Sequence, residues 1–218
     1  MGSITRSFAN NIGTSGILKA GAFNNASLNN VTALNNAIAL GNMVLISTQT
    51  ASSSASISFT TGIDSTYKEY QFYFINIHPA TDDIHFQFQA STNGGSSYGV
   101  TATTTFFETA HNEGDTVTAL TYNGTYDLAQ STNFQAIYYQ TSNDNDHGGV
   151  GSLQLFNPSS TTYVKHFICI GQQTSSPDFS TSSYSAGYFN TSSAINSIQF
   201  KFSSGNIDDG TILMFGIK

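Results

Sequence analysis

From Ile84 to Ala90 the chain alternates without interruption, with Ile84, Phe86, Phe88 and Ala90 at every second position and His85, Gln87 and Gln89 between them. Successive side chains of a β-strand point to opposite faces, so this register calls for one packed face and one wet face. A helix would scatter the same phenylalanines around its circumference. Just upstream, Tyr70–Ile77 places Phe72, Phe74 and Asn76 on one face and Tyr73, Ile75 and Ile77 on the other. A strand apolar on both sides predicts a central position, covered on both faces. Between the two runs, Pro79-Ala80-Thr81-Asp82-Asp83 stops one strand and turns the chain into the next.

Strand signals of this kind recur every 8–12 residues or so, a spacing typical of sandwiches and barrels. The predicted strands are Met43–Thr50, Ala55–Thr61, Glu69–His78, Ile84–Ser91, Val100–Glu108 and Thr116–Tyr122, then Asn133–Thr141, Gly151–Phe156, Tyr163–Gly171, Ser185–Phe189, Ser197–Phe202 and Ile212–Ile217. Tyr163–Gly171 reads as a second central strand, with Val164, His166, Ile168 and Ile170 opposite Tyr163, Lys165, Phe167 and Cys169. Turn chemistry separates the strands at Asn93-Gly94-Gly95, Asn123-Gly124, His147-Gly148-Gly149, Asn157-Pro158 and Ser204-Gly205-Asn206. After residue 43 no 3.6-residue apolar stripe persists for a dozen residues. The expectation is an all-β fold over residues 43–218, an antiparallel, jelly-roll-like β-sandwich. Seventeen Phe and eleven Tyr suffice to fill its core.

Residues 1–42 read differently, as an extended N-terminal docking arm. A five-residue unit recurs as Ala22-Phe23-Asn24-Asn25-Ala26, Ser27-Leu28-Asn29-Asn30-Val31 and Ala33-Leu34-Asn35-Asn36-Ala37. Three short copies are too few for a self-supporting solenoid, and paired Asn residues favour turns over helix. Spaced bulky residues, Phe8, Phe23, Leu28 and Leu34, are expected to fill pockets on a partner.

Composition narrows the partners. Only 9% of the 218 residues are charged, and thirteen acids against six Lys and Arg give a formal charge of -7. Nucleic acid is not an expected partner, because phosphate binding needs clustered bases, and the six here are scattered. No run approaches the roughly 18 apolar residues of a membrane span, so no membrane insertion is expected. Met1–Arg6 carries one base with no apolar run after it, unlike a signal peptide. The single cysteine, Cys169, excludes an intramolecular disulfide and reads as a small buried hydrophobe.

Three groups of residues carry a resemblance. Thr60–Phe74, TTGIDSTYKEYQFYF, with Ser91–Tyr98, STNGGSSY, resembles a segment recurring in tailed-bacteriophage virion proteins of the head-decorating and fibre types. Gly210–Lys218 resembles the short glycine-containing strand that closes such β-domains, and Gly2–Ile12, GSITRSFANNI, resembles the leader of structural proteins of marine phages. The resemblance implies a virion structural protein assembled in the host cytoplasm, contacting capsid or tail proteins and commonly a homotrimer. It supplies no active-site residue.

The residues themselves offer little catalysis. Asn143–Gly148 looks like the start of an EF-hand loop, but the twelfth position counted from Asp144 is Leu155 where a Glu is required. Asp82-Asp83 and Asp208-Asp209 sit among turn residues, and the five histidines lack zinc-ligand spacing, so no metal and no cofactor is expected. Glu108, His111 and Glu113 form the most reactive-looking cluster, without a nucleophile or metal spacing beside it. No enzyme is expected. The rival to a virion structural role is a carbohydrate-binding module for host adsorption, with Tyr138, Tyr139, Tyr184, Tyr188 and Asn190 as candidate contacts to a surface glycan.

Overall fold

A computed structural model describes residues 42–218, so the arm and its Phe8, Phe23, Leu28 and Leu34 lie outside the described residues. Twelve strands form where twelve are expected: β1 (Met43–Thr50), β2 (Ile57–Phe59), β3 (Glu69–Pro79), β4 (Ile84–Ser91), β5 (Ala102–Asn112), β6 (Thr118–Tyr122), β7 (Gln135–Thr141), β8 (Gly149–Phe156), β9 (Lys165–Ser175), β10 (Phe179–Phe189), β11 (Ser197–Phe202) and β12 (Ile207–Ile217). Every pairing is antiparallel. An eight-stranded sheet runs β1-β12-β3-β8-β9-β10-β5-β6, and a four-stranded sheet runs β2-β11-β4-β7.

The connectivity is that of a jelly roll. The pairs β1–β12, β2–β11, β3–β8 and β4–β7 read as one long antiparallel ribbon doubled back on itself between β4 and β7. Rolling that ribbon adds the contacts β12–β3 and β11–β4 and divides it into two facing sheets. Two further hairpins interrupt the ribbon. β5–β6 enters between β4 and β7, β9–β10 enters between β8 and β11, and they zip together through eleven β5–β10 residue pairs. The result widens the first sheet from four strands to eight.

The core lies between the sheets and is largely aromatic. Phe72 and Phe74 of β3 meet Phe59, Phe86 and Phe200 of the smaller sheet at ring-centroid distances of 5.2–5.5 Å, all of them buried. Farther along, Phe88 meets Phe167 at 5.1 Å, edge to face. Each fully buried ring contributes about 1.5–3 kcal/mol through area removed from water, and favourable edge-to-face geometry adds roughly 0.5–1.5 kcal/mol. Cys169 is buried in this layer, as its neighbours imply, and burial pushes its thiol well above the usual range.

The alternation in Ile84–Ala90 is as read: Ile84, Phe86, Phe88 and Ala90 are all buried. Three details differ. Ile77 joins Phe72 and Phe74 in the core, because a bulge at Asn76, with φ at 50°, inserts one residue and reverses the alternation. Asn tolerates this left-handed conformation better than a branched residue. Gln89, on the expected wet face, is buried because a later loop closes over it. And β3 and β9, though interior in their sheet, are covered on one face only. Ile75, Ile168 and Ile170 remain 42%, 45% and 43% exposed on the other.

Candidate functional site

The carbohydrate contacts expected from the sequence do not assemble. Tyr138 is wholly buried, its ring lying over Gly149 and Gly171, where any Cβ would stand within 2.5 Å of it. Tyr139 is half-buried beside Tyr126, 5.0 Å away, and burial followed by the nearby Glu108 carboxylate holds its hydroxyl well above the usual range. Tyr184 and Tyr188 lie on the outer face of the eight-stranded sheet, and Asn190 donates to Gln130 Oε1 at 2.7 Å. The five residues therefore point to four separate places.

The acidic clusters are equally dispersed. Glu108 is buried and accepts a hydrogen bond from Asn123 Nδ2 at 3.3 Å, whereas His111, three residues along the same strand, faces outward to Asp115 at 3.1 Å. An odd spacing on a strand puts two side chains on opposite faces, which separates this pair. At one end of the sandwich His147 stands 3.7 Å from Asp144 and 3.9 Å from Asp178, and His78 stands 3.9 Å from Asp208. Among the described residues no group of three or more His, Cys, Asp or Glu has the geometry to hold a metal ion.

Two other features stand out, and neither is a local motif. The first is the outer face of the eight-stranded sheet. Cross-strand partners line up as Tyr73–Ser152–Ile170–Tyr184–Phe107–Tyr122, a single row spanning β3 to β6. Phe107 and Tyr184 stack in parallel within it, 4.9 Å apart and 7° from coplanar. Adjacent rows carry Phe215, Ile168 and Ala186 with Gln71, Gln154 and Thr105 on one side, and Ile75, Val150 and Leu120 with Gln172, Ser182 and Thr109 on the other. No Lys, Arg, Asp or Glu stands in these three rows. Exposed apolar residues scattered singly need no explanation, but here Ile75, Phe107, Leu120, Tyr122, Val150, Ile168 and Ile170, each at least 40% exposed, gather on one uncharged face, the kind of clustering seen at contact surfaces.

The second is a cleft of about 600 Å³ between the wet face of the four-stranded sheet and the loop leading into β7, with Gln87 and Ala136 at its floor and Tyr126, Leu128 and Phe134 among its walls. Two buried glutamines hold that loop in place. Gln89 Nε2 donates to the carbonyls of Thr132 and Asn133 at 3.1 and 2.8 Å, and Gln135 Nε2 donates to the carbonyl of Tyr126 at 2.9 Å. The His85 ring packs edge-on against Tyr126 at 4.8 Å, and its burial lowers its pKa, which favours the neutral imidazole. Lys201 Nζ caps the Phe134 ring at 4.4 Å from its centroid.

Fold and surface together define a class: an all-β, jelly-roll sandwich whose larger sheet presents an uncharged outer face. No family model, curated protein or solved structure matches the chain.

Proposed function

We propose that the chain is a non-enzymatic structural protein of a tailed-phage virion, decorating the head or forming part of a fibre and assembled in the host cytoplasm. The observation that carries this reading is the outer face of the eight-stranded sheet. Its occupant is a second copy of the chain. Six strands about 4.8 Å apart, three rows deep, present a face of roughly 500–600 Å², the greater part of the ~800 Å² that each partner contributes to a stable interface. A face without charges repels no identical neighbour and leaves no ion unpaired on burial. The phage-like segments imply a homotrimer, in which each copy shares this face between two neighbours, about half of it to each, the rest of each contact coming from other surface. The phage-like segments at Thr60–Phe74, Ser91–Tyr98 and Gly210–Lys218 support the same assignment. The arm, through Phe8, Phe23, Leu28 and Leu34, attaches the trimer to capsid or tail proteins.

Light scattering tests the assembly. Full-length protein at micromolar concentration should run at about 70 kDa, three times the 23.3 kDa chain. Ile170→Lys should break it into monomers with unchanged far-UV circular dichroism. A wild-type monomer refutes the assembly reading. Protein lacking residues 1–42 should stay folded yet fail to bind particles stripped of the native copy; if it still binds them, the arm is not the anchor.

A further inference from the structure

We infer that the cleft beside β4 and β7 is a binding site for a neutral oligosaccharide, built by residues that play no part in the assembly face. Its walls set rings beside Leu128, its floor sets the Gln87 amide beside Ala136, and no carboxylate lines it. A sugar presents the matching chemistry. One face of its ring carries C–H groups that pack on aromatic rings, and its rim carries hydroxyls that both donate and accept.

Three observations carry the assignment. The first is preorganisation. Tyr126 is fixed by three aromatic neighbours, His85, Tyr139 and Phe106, at 4.8, 5.0 and 5.4 Å, so its ring is set before any ligand arrives. A contact ring that needs no ordering spares the binding entropy that a mobile side chain costs. The second is the support beneath it. Gln89 and Gln135 are each 1% exposed, and their amides are spent on the carbonyls of Tyr126, Thr132 and Asn133, the backbone of the cleft's outer wall. Buried amides are costly unless satisfied, and here their donors hold a surface loop.

The third is the contrast between those glutamines and the polar groups that face the cleft. The side-chain amides of Gln87 and Asn133, and the hydroxyls of Thr132 and Tyr126, make no hydrogen bond among the described residues, although Gln89, Gln135 and Gln199 close by are all bonded. An amide offers both a donor and an acceptor, as a vicinal pair of sugar hydroxyls requires. No charged side chain lines the cleft and His85 is neutral, so no ion pair awaits an acidic sugar there, the nearby Lys201 being engaged over the Phe134 ring. The volume lies within the range of about 300–1,000 Å³ usual for small-ligand sites, enough for a short oligosaccharide and too small for a folded partner.

The test is a glycan array carrying neutral and sialylated oligosaccharides, probed with the full-length protein, followed by calorimetry on the free sugar of the strongest neutral hit. Binding to at least one neutral oligosaccharide is expected, with a dissociation constant of about 1 mM or tighter. Gln87→Ala and Asn133→Ala should each weaken it about tenfold, while Ile170→Lys, on the opposite sheet, should leave it unchanged. No neutral hit, a preference for sialylated glycans, or binding insensitive to both cleft variants overturns the assignment. Since Ile170→Lys reports on assembly and the cleft variants on sugar, either reading can fail without the other.

Discussion

Tyr138 is the sharpest place to test the packing. Its side chain is fully buried against Gly149 and Gly171, and its hydroxyl has no hydrogen-bond partner among the described residues. A buried hydroxyl without a partner costs about 1–3 kcal/mol relative to one left in water. Removing it as Tyr138→Phe recovers that cost and leaves a void worth roughly 0.3 kcal/mol. The variant should therefore be more stable by about 1–2 kcal/mol, which for a domain of this size raises Tm by roughly 2–4 °C per kcal/mol. A second readout comes from pH. Burial raises the Tyr138 pKa well above its ordinary 10, so above about pH 10 the unfolded chain releases a proton that the folded chain keeps. Folding then binds more protons than unfolding, and stability falls by about 1.4 kcal/mol per pH unit from this one group. Tyr138→Phe should flatten the alkaline limb by that amount, measured by urea titration from pH 8 to 11.5 at fixed protein concentration. A variant less stable than wild type by 1 kcal/mol or more, or one with the same alkaline slope, refutes this account of the site.

Two further predictions probe the faces and the buried charge. Phe86→Ala should cost about 3–5 kcal/mol, whereas Gln87→Ala, one position along and unbonded, should cost under about 0.5 kcal/mol; equal effects in denaturant titrations would mean the faces of β4 are misassigned. Lys165 is buried, donates from Nζ to the carbonyls of Tyr163 and Thr191 at 2.8 and 3.0 Å, and has its pKa lowered by desolvation. Between that lowered value and the unfolded ~10.4 the unfolded chain binds the extra proton, so stability rises with pH in that window. Lys165→Met should lose this rise, and a stability difference between variant and wild type that is constant from pH 7 to 10.5 would contradict the assignment.

The parts of the fold that announce themselves are those where burial and hydrophobicity coincide. β1, β4 and β11 have the residue limits that alternation assigns them. β9 and β10 run longer than expected, to Ser175 and from Phe179, because their shared end is packed with polar residues. Gln173, Ser175, Thr181 and Ser183 are buried there, and a pattern read by hydrophobicity registers them as loop. β12 likewise begins at Ile207, ahead of the expected Ile212, since Asp208 and Asp209 point outward before an irregularity at Gly210, with φ at 126°. The central reading of β9 fails for another reason: Ile168 and Ile170 signal burial truthfully only if something outside the single chain covers them. The cleft had no local signature at all. His85 and Gln87 come from a strand and Tyr126 to Phe134 from a loop some forty positions later, and only the β4–β7 pairing brings them together. Tyr138 and Tyr139, singled out as a pair, are adjacent on a strand and so face opposite ways.

The place of β12 has a consequence for how the protein is made. It lies between β1 and β3, pairing with both, although some 130 to 170 positions separate it from them along the chain. While the polypeptide emerges from the ribosome, β1 has no strand to join and β3 keeps one open edge until residues 207–217 appear. Open edges invite pairing with other chains, and contacts this distant in sequence form slowly. Copies growing side by side on one message are thus exposed to mispairing until β12 appears. A transcript broken before Ile207 should yield insoluble protein, where one broken inside the β5–β6 hairpin leaves too little sheet to aggregate in the same way. The strand that completes the sandwich is thus also the one that joins β1 to β3, and no eight-stranded face exists before it is in place.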